Sequence, residues 1–237
     1  LGVGFDQALV LKKSRKADFK MEIYNSDGSK VEMCGNGIRC LAKYIWDRKL
    51  SKKDVLTIET LAGTIKPERR GKLIRVDMGE PVFDPREIPV KAPKNSSVPL
   101  IDLPLKVGGR RFLITCVSMG NPHAVIFVSK IDKFDLEKFG PLIENNRIFP
   151  ERVNVGIAEV VSKKRIKLRV WERGAGATLA CGTGASAAAV AARLKGLTSP
   201  TATFTLPGGD LKIEVAKDGH VYMTGPAEEV FTGTAKI

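Results

Sequence analysis

The sequence contains one unusual turn twice, as Met33-Cys34-Gly35-Asn36-Gly37 and as Ala180-Cys181-Gly182-Thr183-Gly184. Each copy precedes a stretch whose apolar residues recur at helical spacing. Aligned without a gap, the two copies also superimpose Tyr24 on Trp171. Downstream, residues 61–66 resemble 206–212 in the same order and at nearly the same separation. This agreement predicts an internal duplication, which is two copies of one domain rather than an array of short repeats.

The duplication predicts the domain boundaries and the fold class. We expect an N-terminal domain over residues 1–77, completed by a returning strand over 226–237, and a C-terminal domain over 78–225. The expected class is α/β (α+β), with two pseudo-symmetric strand-rich domains and an active site in the interdomain cleft. Each domain would be a sheet wrapped around a central helix.

Local patterns predict many strands and few helices. Helices are expected over 37–49, 136–144 and 184–195, and the proline- and lysine-rich segment 85–104 is expected to be an exposed connection. Strands are expected over 8–11, 19–24, 56–59, 73–78, 111–117, 124–128, 154–161, 166–172, 203–205, 211–215 and 221–223.

The second copy has about forty residues before its first matched strand, whereas the first copy begins almost at once. The chain also starts at Leu1 rather than at Met. We therefore expect that a natural segment precedes Leu1.

Composition limits the possible partners and the cellular setting. The formal net charge is +13, but the basic pairs are dispersed at expected hairpin tips, which favours solvated turns over a nucleic-acid surface. Four cysteines among 237 residues do not indicate a disulfide framework, and the default setting is the reducing cytoplasm. The longest uncharged stretch, 174–192, is too poor in large apolar residues to predict a membrane span.

The position of the two cysteines predicts their chemistry. Cys34 and Cys181 each lie immediately before an expected helix, where free N–H groups and the helix dipole stabilise anions and lower the pKa of a thiol. The flanking glycines leave backbone amides open to a ligand carboxylate.

Two such turns facing one α-carbon suit inversion of stereochemistry. One thiolate would remove the α-proton, and the thiol on the opposite face would return a proton. The negative charge that spreads into the carboxylate would be stabilised by the amides. This reaction requires no cofactor.

The chain resembles the diaminopimelate epimerases over nearly its whole length. The segments that carry the resemblance are Gly2-Val3-Gly4-Phe5-Asp6-Gln7, Asn25-Ser26-Asp27-Gly28, Met33-Cys34-Gly35-Asn36-Gly37-Ile38-Arg39-Cys40, Met119-Gly120-Asn121-Pro122-His123, Asn154, Glu172-Arg173-Gly174-Ala175-Gly176 and Ala180-Cys181-Gly182-Thr183-Gly184. The resemblance implies interconversion of LL- and meso-diaminopimelate, a step toward lysine and peptidoglycan precursors, by a cytoplasmic enzyme without pyridoxal phosphate or metal. It also implies a homodimer.

The resemblance implies a role for each matched residue. Cys34 and Cys181 would be the acid/base pair. Substrate would be bound by Gln7, Asn25, Gly35, Asn36, Asn121, His123, Asn154, Glu172, Arg173, Gly182 and Thr183. Among these, Arg173 suits its role physically, because a guanidinium can hold a carboxylate through two parallel hydrogen bonds.

The sequence departs from the family in two places. Ala177 stands where family members usually have glutamate. The family's N-terminal segment, with an Asn-Asp-Phe motif whose asparagine contacts substrate, has no counterpart in these 237 residues.

The remaining cysteines and histidines receive ordinary structural interpretations. Cys40 and Cys116 are expected to be small buried apolar residues, and His220 a turn residue. With two histidines, neither near a cysteine in sequence, a zinc site is not expected.

Three other functions remain open. A related two-cysteine racemase acting on proline or hydroxyproline would share the mechanism. The basic surplus allows a nucleic-acid-binding module, which salt-dependent binding would reveal. The third is a strand-rich protein that keeps the fold for interaction only.

Overall fold

The computed structural model describes residues 4–31, 34–93 and 95–234. Met33 of the first turn therefore lies outside the described residues. Contacts between Cα atoms divide the chain into two compact units, one of Leu1–Asp77 with Thr224–Ile237 and one of Met78–Met223.

The first unit is a small sheet with one long helix. Its elements are β1 (Gln7–Lys12), β2 (Phe19–Asn25), β3 (Lys30–Val31), α1 (Gly35–Asp47), β4 (Ile58–Thr60), β5 (Gly63–Ile65), β6 (Glu68–Arg70) and β7 (Leu73–Asp77). The sheet order is β1-β2-β4-β5 with β3 beside β2, and β6 pairs antiparallel with β7. The apolar stripe of α1 is buried through Ile38, Ala42 and Ile45, each fully inaccessible to solvent.

The tail of the first unit differs from the expectation. Residues 226–234 form no strand, and 235–237 lie outside the described residues. The tail contacts the helix through side chains instead: Arg39 Nε donates to the Pro226 carbonyl at 3.1 Å, and Arg48 pairs with Glu229 at 3.4 Å. The sequence pattern does not reveal side-chain contacts of this kind.

The second unit is a larger sheet with two helices. Its elements are β8 (Leu103–Val107), β9 (Arg110–Ser118), β10 (Pro122–Phe127), a 3₁₀ turn (Ile131–Lys133), α2 (Leu136–Glu144), β11 (Asn154–Ser162), β12 (Arg165–Glu172), β13 (Gly176–Thr178), α3 (Gly182–Leu194), β14 (Thr201–Leu206), β15 (Gly209–Val215) and β16 (Val221–Gly225). The strand order is β16-β15-β14-β12-β11-β10-β9-β8 with β13 beside β12. The pairs β10–β11 and β12–β14 are parallel.

Helix α3 is the central helix of the second unit. It contacts β9, β10, β11, β12 and β15, and every residue from Gly184 to Ala192 is buried. A helix that is apolar on all sides must be enclosed, and its alanines allow the strands to approach closely. The expected α/β class, rich in strands with few helices, is confirmed.

The segment expected to be an exposed connection is partly buried. Ile88 and Leu100 are 0% and 2% exposed and belong to the core of the second unit, and β8 begins at Leu103. The prediction was wrong because the apolar residues of this segment follow no regular period, so its prolines and lysines dominated the pattern.

Among the described residues, no helix is both long and apolar enough to cross a bilayer.

Candidate active site

Cys34 and Cys181 occupy the same position at the start of their helices. Each is the N-cap residue in an extended conformation, with φ/ψ of −137°/113° for Cys34 and −128°/112° for Cys181. Each sulfur accepts a hydrogen bond from the third residue on, Gly37 N at 3.3 Å and Gly184 N at 3.4 Å. The sulfur therefore takes the place that a serine or aspartate oxygen usually fills at a helix N-terminus.

The third-position glycines are closely packed against side chains of the neighbouring strands. A Cβ on Gly37 would lie 2.9 Å from Leu9 Cδ2, and a Cβ on Gly184 would lie 3.1 Å from Val170 Cγ2. Both distances are shorter than normal carbon contacts, so an added side chain would require Leu9 or Val170 to shift. Gly35 and Gly182, the first helical residues, are also buried.

Cys181 is buried against a carboxylate. It is 5% exposed and donates to Glu172 Oε2 at 3.2 Å, while Thr178 Oγ1 donates to Glu172 Oε1 at 2.6 Å. Burial, followed by the charge of Glu172, raises the pKa of the Cys181 thiol to about 12. The expectation of a lowered pKa was therefore wrong for Cys181, because desolvation of the thiolate outweighs the stabilisation at the helix N-terminus.

The turn after β12 presents Arg173. Its backbone N–H donates to Asn154 Oδ1 at 2.9 Å, and Asn154 Nδ2 donates to the Pro122 carbonyl at 2.8 Å. The exposed guanidinium donates from Nη1 to the Glu151 carbonyl at 3.0 Å. Asn154 thus fixes the backbone of Arg173 and leaves the end of the arginine side chain at the surface.

Asn121 and His123 approach the start of α3. Asn121 Nδ2 donates to Thr183 Oγ1 at 3.3 Å, and Asn121 Oδ1 lies 2.9 Å from His123 Nε2. His123 is 1% exposed, and its Nδ1 has no hydrogen-bond partner among the described residues. Burial, with a smaller effect of Arg173, lowers the pKa of His123 to about 3, so the ring is neutral near pH 7. It then donates from Nε2 and carries a lone pair on Nδ1.

In the first unit, Gln7 and Asn25 are directly paired across β1 and β2. Gln7 Nε2 donates to Asn25 Oδ1 at 3.1 Å, and Asn25 Nδ2 donates to Ser29 Oγ at 3.0 Å. The N-terminal turn of α1 is held separately by Arg39, which donates to the Gly35 carbonyl and to Asn36 Oδ1, both at 3.1 Å.

Arg39 is a residue that sequence reasoning did not select. Its side chain is charged, yet it is 6% exposed and so lies buried beside the fully buried Ile38 on the same helix. The available signal was its spacing, because residues three and four positions apart on a helix are neighbours and Arg39 therefore faces both Asn36 and Gly35.

The predicted site residues thus form two groups, one in each unit. The group of the second unit is connected by hydrogen bonds from Glu172 through Cys181 and Thr183 to Asn121 and His123. The group of the first unit comprises Cys34, Gly35 and Asn36 at the start of α1, with Gln7 and Asn25 on the sheet.

The other cysteines differ from each other. Cys116 is fully buried as expected, and burial raises the pKa of its thiol to about 12. Cys40 is exposed, which contradicts the expectation, and it lines a groove of about 540 Å³ formed by β1, α1 and the tail. Its helical position turns it away from the core stripe of α1. His220 follows the turn at Asp218, whose Oδ1 accepts from the His220 N–H.

Within the described ranges, no group of three or more His, Cys, Asp or Glu side chains is arranged to hold a metal ion.

Comparison with known proteins identifies the family. Residues 1–83 and 115–230 match the family described as diaminopimelate epimerase. The chain is 49% identical over 243 residues to the diaminopimelate epimerase of Acetivibrio thermocellus, covering 100% of this chain and 85% of the relative. It is 52% identical over 233 residues to that of Carboxydothermus hydrogenoformans, covering 98% and 84%.

Solved structures share the fold at low sequence identity. A phenazine biosynthesis protein of the PhzF family from Bacillus anthracis has a TM-score of 0.67 at 18% identity, over 94% of this chain and 82% of that protein. A hydroxyproline epimerase from Agrobacterium vitis has a TM-score of 0.65 at 15% identity, over 93% and 71%. The fold is therefore shared with other epimerases, whereas the matches near half identity are specific: the chain belongs to the diaminopimelate epimerase family.

Proposed function

We propose that this protein interconverts LL- and meso-diaminopimelate without a cofactor, by proton transfer at two cysteines. The observation that carries the proposal is the pair of cysteine N-caps, Cys34 and Cys181, with matching backbone angles and matching sulfur hydrogen bonds. Relatives named diaminopimelate epimerase, near half identity and over the whole chain, support the substrate.

The proposed reaction moves one proton at each cysteine. The thiolate of Cys34 removes the α-proton, so an S–H bond forms while the C–H bond breaks and its electron pair enters the carboxylate. The thiol of Cys181 then donates its proton to the opposite face of the carbon and becomes a thiolate. The reverse reaction exchanges the two roles.

The contact between Cys181 and Glu172 supports a thiol as the resting form of Cys181. The S–H group donates to a carboxylate at 3.2 Å, and the raised pKa keeps the proton on sulfur at neutral pH. A proton donor is what protonation of a carbanion requires. The thiolate formed by this step must be stabilised briefly, and the Gly184 amide at 3.4 Å is placed to do so.

The remaining predicted residues would bind the substrate. Helix N-termini with buried glycines, at Gly35-Asn36 and Gly182-Thr183, suit the reacting carboxylate, where charge develops. The exposed guanidinium of Arg173 suits the carboxylate at the far end of the substrate. Gln7, Asn25, Asn121 and Asn154 supply amide groups for its second amino-acid end, whereas Glu172 and His123 would lie near the reacting ammonium group.

Proton NMR in D₂O is the direct test. LL-diaminopimelate is incubated with the reduced protein, and the α-proton signal and the meso form are followed. We expect loss of the α-proton signal at one centre together with meso product. The absence of both, from protein shown to be folded, would overturn the proposal.

The same measurement with L-proline and trans-4-hydroxy-L-proline separates the alternative racemase. The likeness to a hydroxyproline epimerase, at 15% identity, concerns the fold only. We expect no exchange with either imino acid, since Arg173 and the asparagines suit a substrate with a second polar end. Exchange with an imino acid and none with diaminopimelate would transfer the assignment.

We further infer a cytoplasmic homodimer without nucleic-acid ligands. Sedimentation equilibrium should give twice the mass of the 25.8 kDa chain. Binding to DNA or RNA that weakens steeply with added salt would instead favour the nucleic-acid module allowed by the net charge of +13.

A further inference from the structure

Glu144, at the end of α2, is a buried carboxylate with no role in the chemistry above. It is 5% exposed. Its Oε1 accepts from the Gly174 N–H at 2.8 Å and from Arg152 Nη1 at 3.4 Å, and its Oε2 accepts from Trp171 Nε1 at 2.7 Å. A carboxylate is costly to bury, and three donors from three different residues offset that cost.

Two of these donors flank the pair of predicted site residues. Trp171 immediately precedes Glu172, and Gly174 immediately follows Arg173. Gly174 has φ of +78°, a conformation that glycine adopts readily, so the chain turns sharply at this point. Glu144 therefore holds the chain on both sides of Glu172 and Arg173.

The packing of α2 explains how one side chain reaches both donors. A Cβ on Gly140 would lie 2.6 Å from Trp171 Cδ2, so the backbone of α2 lies directly against the indole ring. Glu144 is four residues further along the helix and hence on the same face. It is thus placed between the ring and the turn.

We propose that Glu144 is a positioning residue, which fixes the segment Glu172–Arg173 so that Glu172 meets Cys181 and Arg173 meets the substrate. The segment that Glu144 holds makes two further contacts: Glu172 accepts from the Cys181 thiol, and the Arg173 N–H donates to Asn154. The kinetic consequence rests on the proposed function, whereas the structural consequence at Cys181 does not.

The substitution Glu144→Gln tests the proposal. Glutamine keeps one acceptor oxygen, but its NH₂ group must face either the indole N–H or the Gly174 N–H, and that hydrogen bond is lost. Glu137→Gln is the matched control, because Glu137 is an exposed glutamate on the same helix.

Three measurements separate positioning from plain stability. We expect Glu144→Gln to raise KM for LL-diaminopimelate and lower kcat, with kcat/KM reduced roughly 10-fold to 100-fold because the site residues are misplaced. The Gly174 amide should exchange faster with solvent in hydrogen–deuterium exchange. Alkylation of Cys181, followed by mass spectrometry of its peptide, should show a pH profile shifted to lower pH, because the charge of Glu172 no longer bears on the thiol as closely. Glu137→Gln should match the wild type in all three.

Several outcomes would overturn the proposal. One is a Glu144→Gln protein with wild-type kinetics and an unchanged Cys181 profile. Another is a lower melting temperature with kcat and KM unchanged for the folded fraction, since that result means stability alone. Should the wild type fail to epimerise diaminopimelate, the proposed function fails by itself, and the Gly174 exchange and Cys181 profile still decide the role of Glu144.

A second variant keeps the test informative if Glu144→Gln does not fold. Trp171→Phe removes the indole donor and leaves the bond from Gly174 to Glu144 in place. We expect its kcat/KM and its Cys181 alkylation profile to lie between those of the wild type and those expected for Glu144→Gln. Wild-type values for both would also contradict the proposal.

Discussion

At the scale of single residues, the two cysteines combine a structural and a chemical function. A sulfur that caps a helix accepts a backbone N–H bond, as Cys34 does from Gly37 and Cys181 does from Gly184. Serine would preserve this cap, because it is among the best N-cap residues, whereas alanine would not. The two replacements therefore separate the effect on the fold from the effect on proton transfer.

We expect Cys34→Ser and Cys181→Ser to keep a melting temperature close to that of the wild type and to lose epimerisation by at least roughly 10²-fold to 10⁴-fold. A serine hydroxyl is far too weak an acid to replace a thiol in either role. The corresponding alanine variants should lose activity equally and about 1 kcal/mol of stability through the missing cap. Activity is measured by α-proton exchange, and stability by urea unfolding.

Near-normal turnover in either folded serine variant would contradict the two-cysteine mechanism. Cys116→Ala, at a buried cysteine without a proposed chemical role, is the control that should keep activity.

His123 should make the stability of the protein depend on pH. Burial lowers its pKa from 6.5 to about 3, so the unfolded chain binds a proton below pH 6.5 that the folded chain does not. The stabilising contribution is complete above pH 6.5 and is lost progressively as pH falls toward 3. From this group alone, the free energy of unfolding should be about 2 kcal/mol lower at pH 5 than at pH 7.5.

Urea unfolding of the wild type and His123→Asn at several pH values measures this effect. The variant should lack the part of the pH dependence between 7.5 and 5 that His123 causes. His220→Asn, which removes the only other histidine, should keep it. Parallel pH curves for the wild type and His123→Asn would show that the pKa of His123 is the same in the folded and the unfolded chain.

Among the elements, helix α2 lies directly against β12, because Gly140 has no side chain at the point of contact. Gly140 approaches the indole of Trp171, and the ring is rigid, so it cannot fold away from an added methyl group. The strand that carries Trp171 ends at Glu172. The position of α2 therefore bears on the position of a predicted site residue.

We expect Gly140→Ala to destabilise the protein by about 1–3 kcal/mol, because overpacking forces the helix and the ring apart. The matched control is Gly156→Ala on β11, where the added Cβ would meet Leu168 and Val125 at 3.7 and 3.8 Å, which are ordinary contacts. Thermal or urea unfolding of both variants measures the difference. Equal stabilities would indicate that α2 is not held as closely as described.

At the scale of the whole molecule, the duplication relates the two units. Each has one long helix that begins at a cysteine and follows a strand-rich segment. The units differ in size and in additions, since β8 to β10 and α2, which precede the matched strands, belong to the second unit.

The duplication further predicts that both cysteines act on one α-carbon, and oxidation tests this expectation. We expect diamide to join Cys34 and Cys181 in a disulfide, to abolish activity, and to act reversibly with dithiothreitol. Peptide mapping without reduction identifies the bond. Cys40→Ser is the control, because Cys40 is the exposed cysteine beside the groove. This variant should still be inactivated by diamide, since it retains Cys34 and Cys181. Full activity after oxidation, or a bond to Cys40 instead, would contradict the facing arrangement.

Much of the fold was predictable because strong local patterns dominate it. The helices expected over 37–49, 136–144 and 184–195 lie at Gly35–Asp47, Leu136–Glu144 and Gly182–Leu194. The short strands β3, β5, β6, β8 and β13 were not predicted, since two to five residues carry too little alternation and depend on a neighbouring strand. The enclosure of α3 by the sheet was predictable because the residues of this helix are small or apolar without interruption from Gly184 to Ala192.

Residue order alone is enough to predict the duplication, the position of both cysteines before helices, and the family. These are properties of residue order, so they can be read without coordinates. The protonation of the groups around the second helix depends instead on the folded structure: burial raises the pKa of Cys181 to about 12 and lowers that of His123 to about 3. The folded structure also brings the Glu144 carboxylate to Trp171 and Gly174, the two residues that flank Glu172 and Arg173. Desolvation and long-range hydrogen bonds depend on what surrounds a group in space, and residue order does not specify those surroundings.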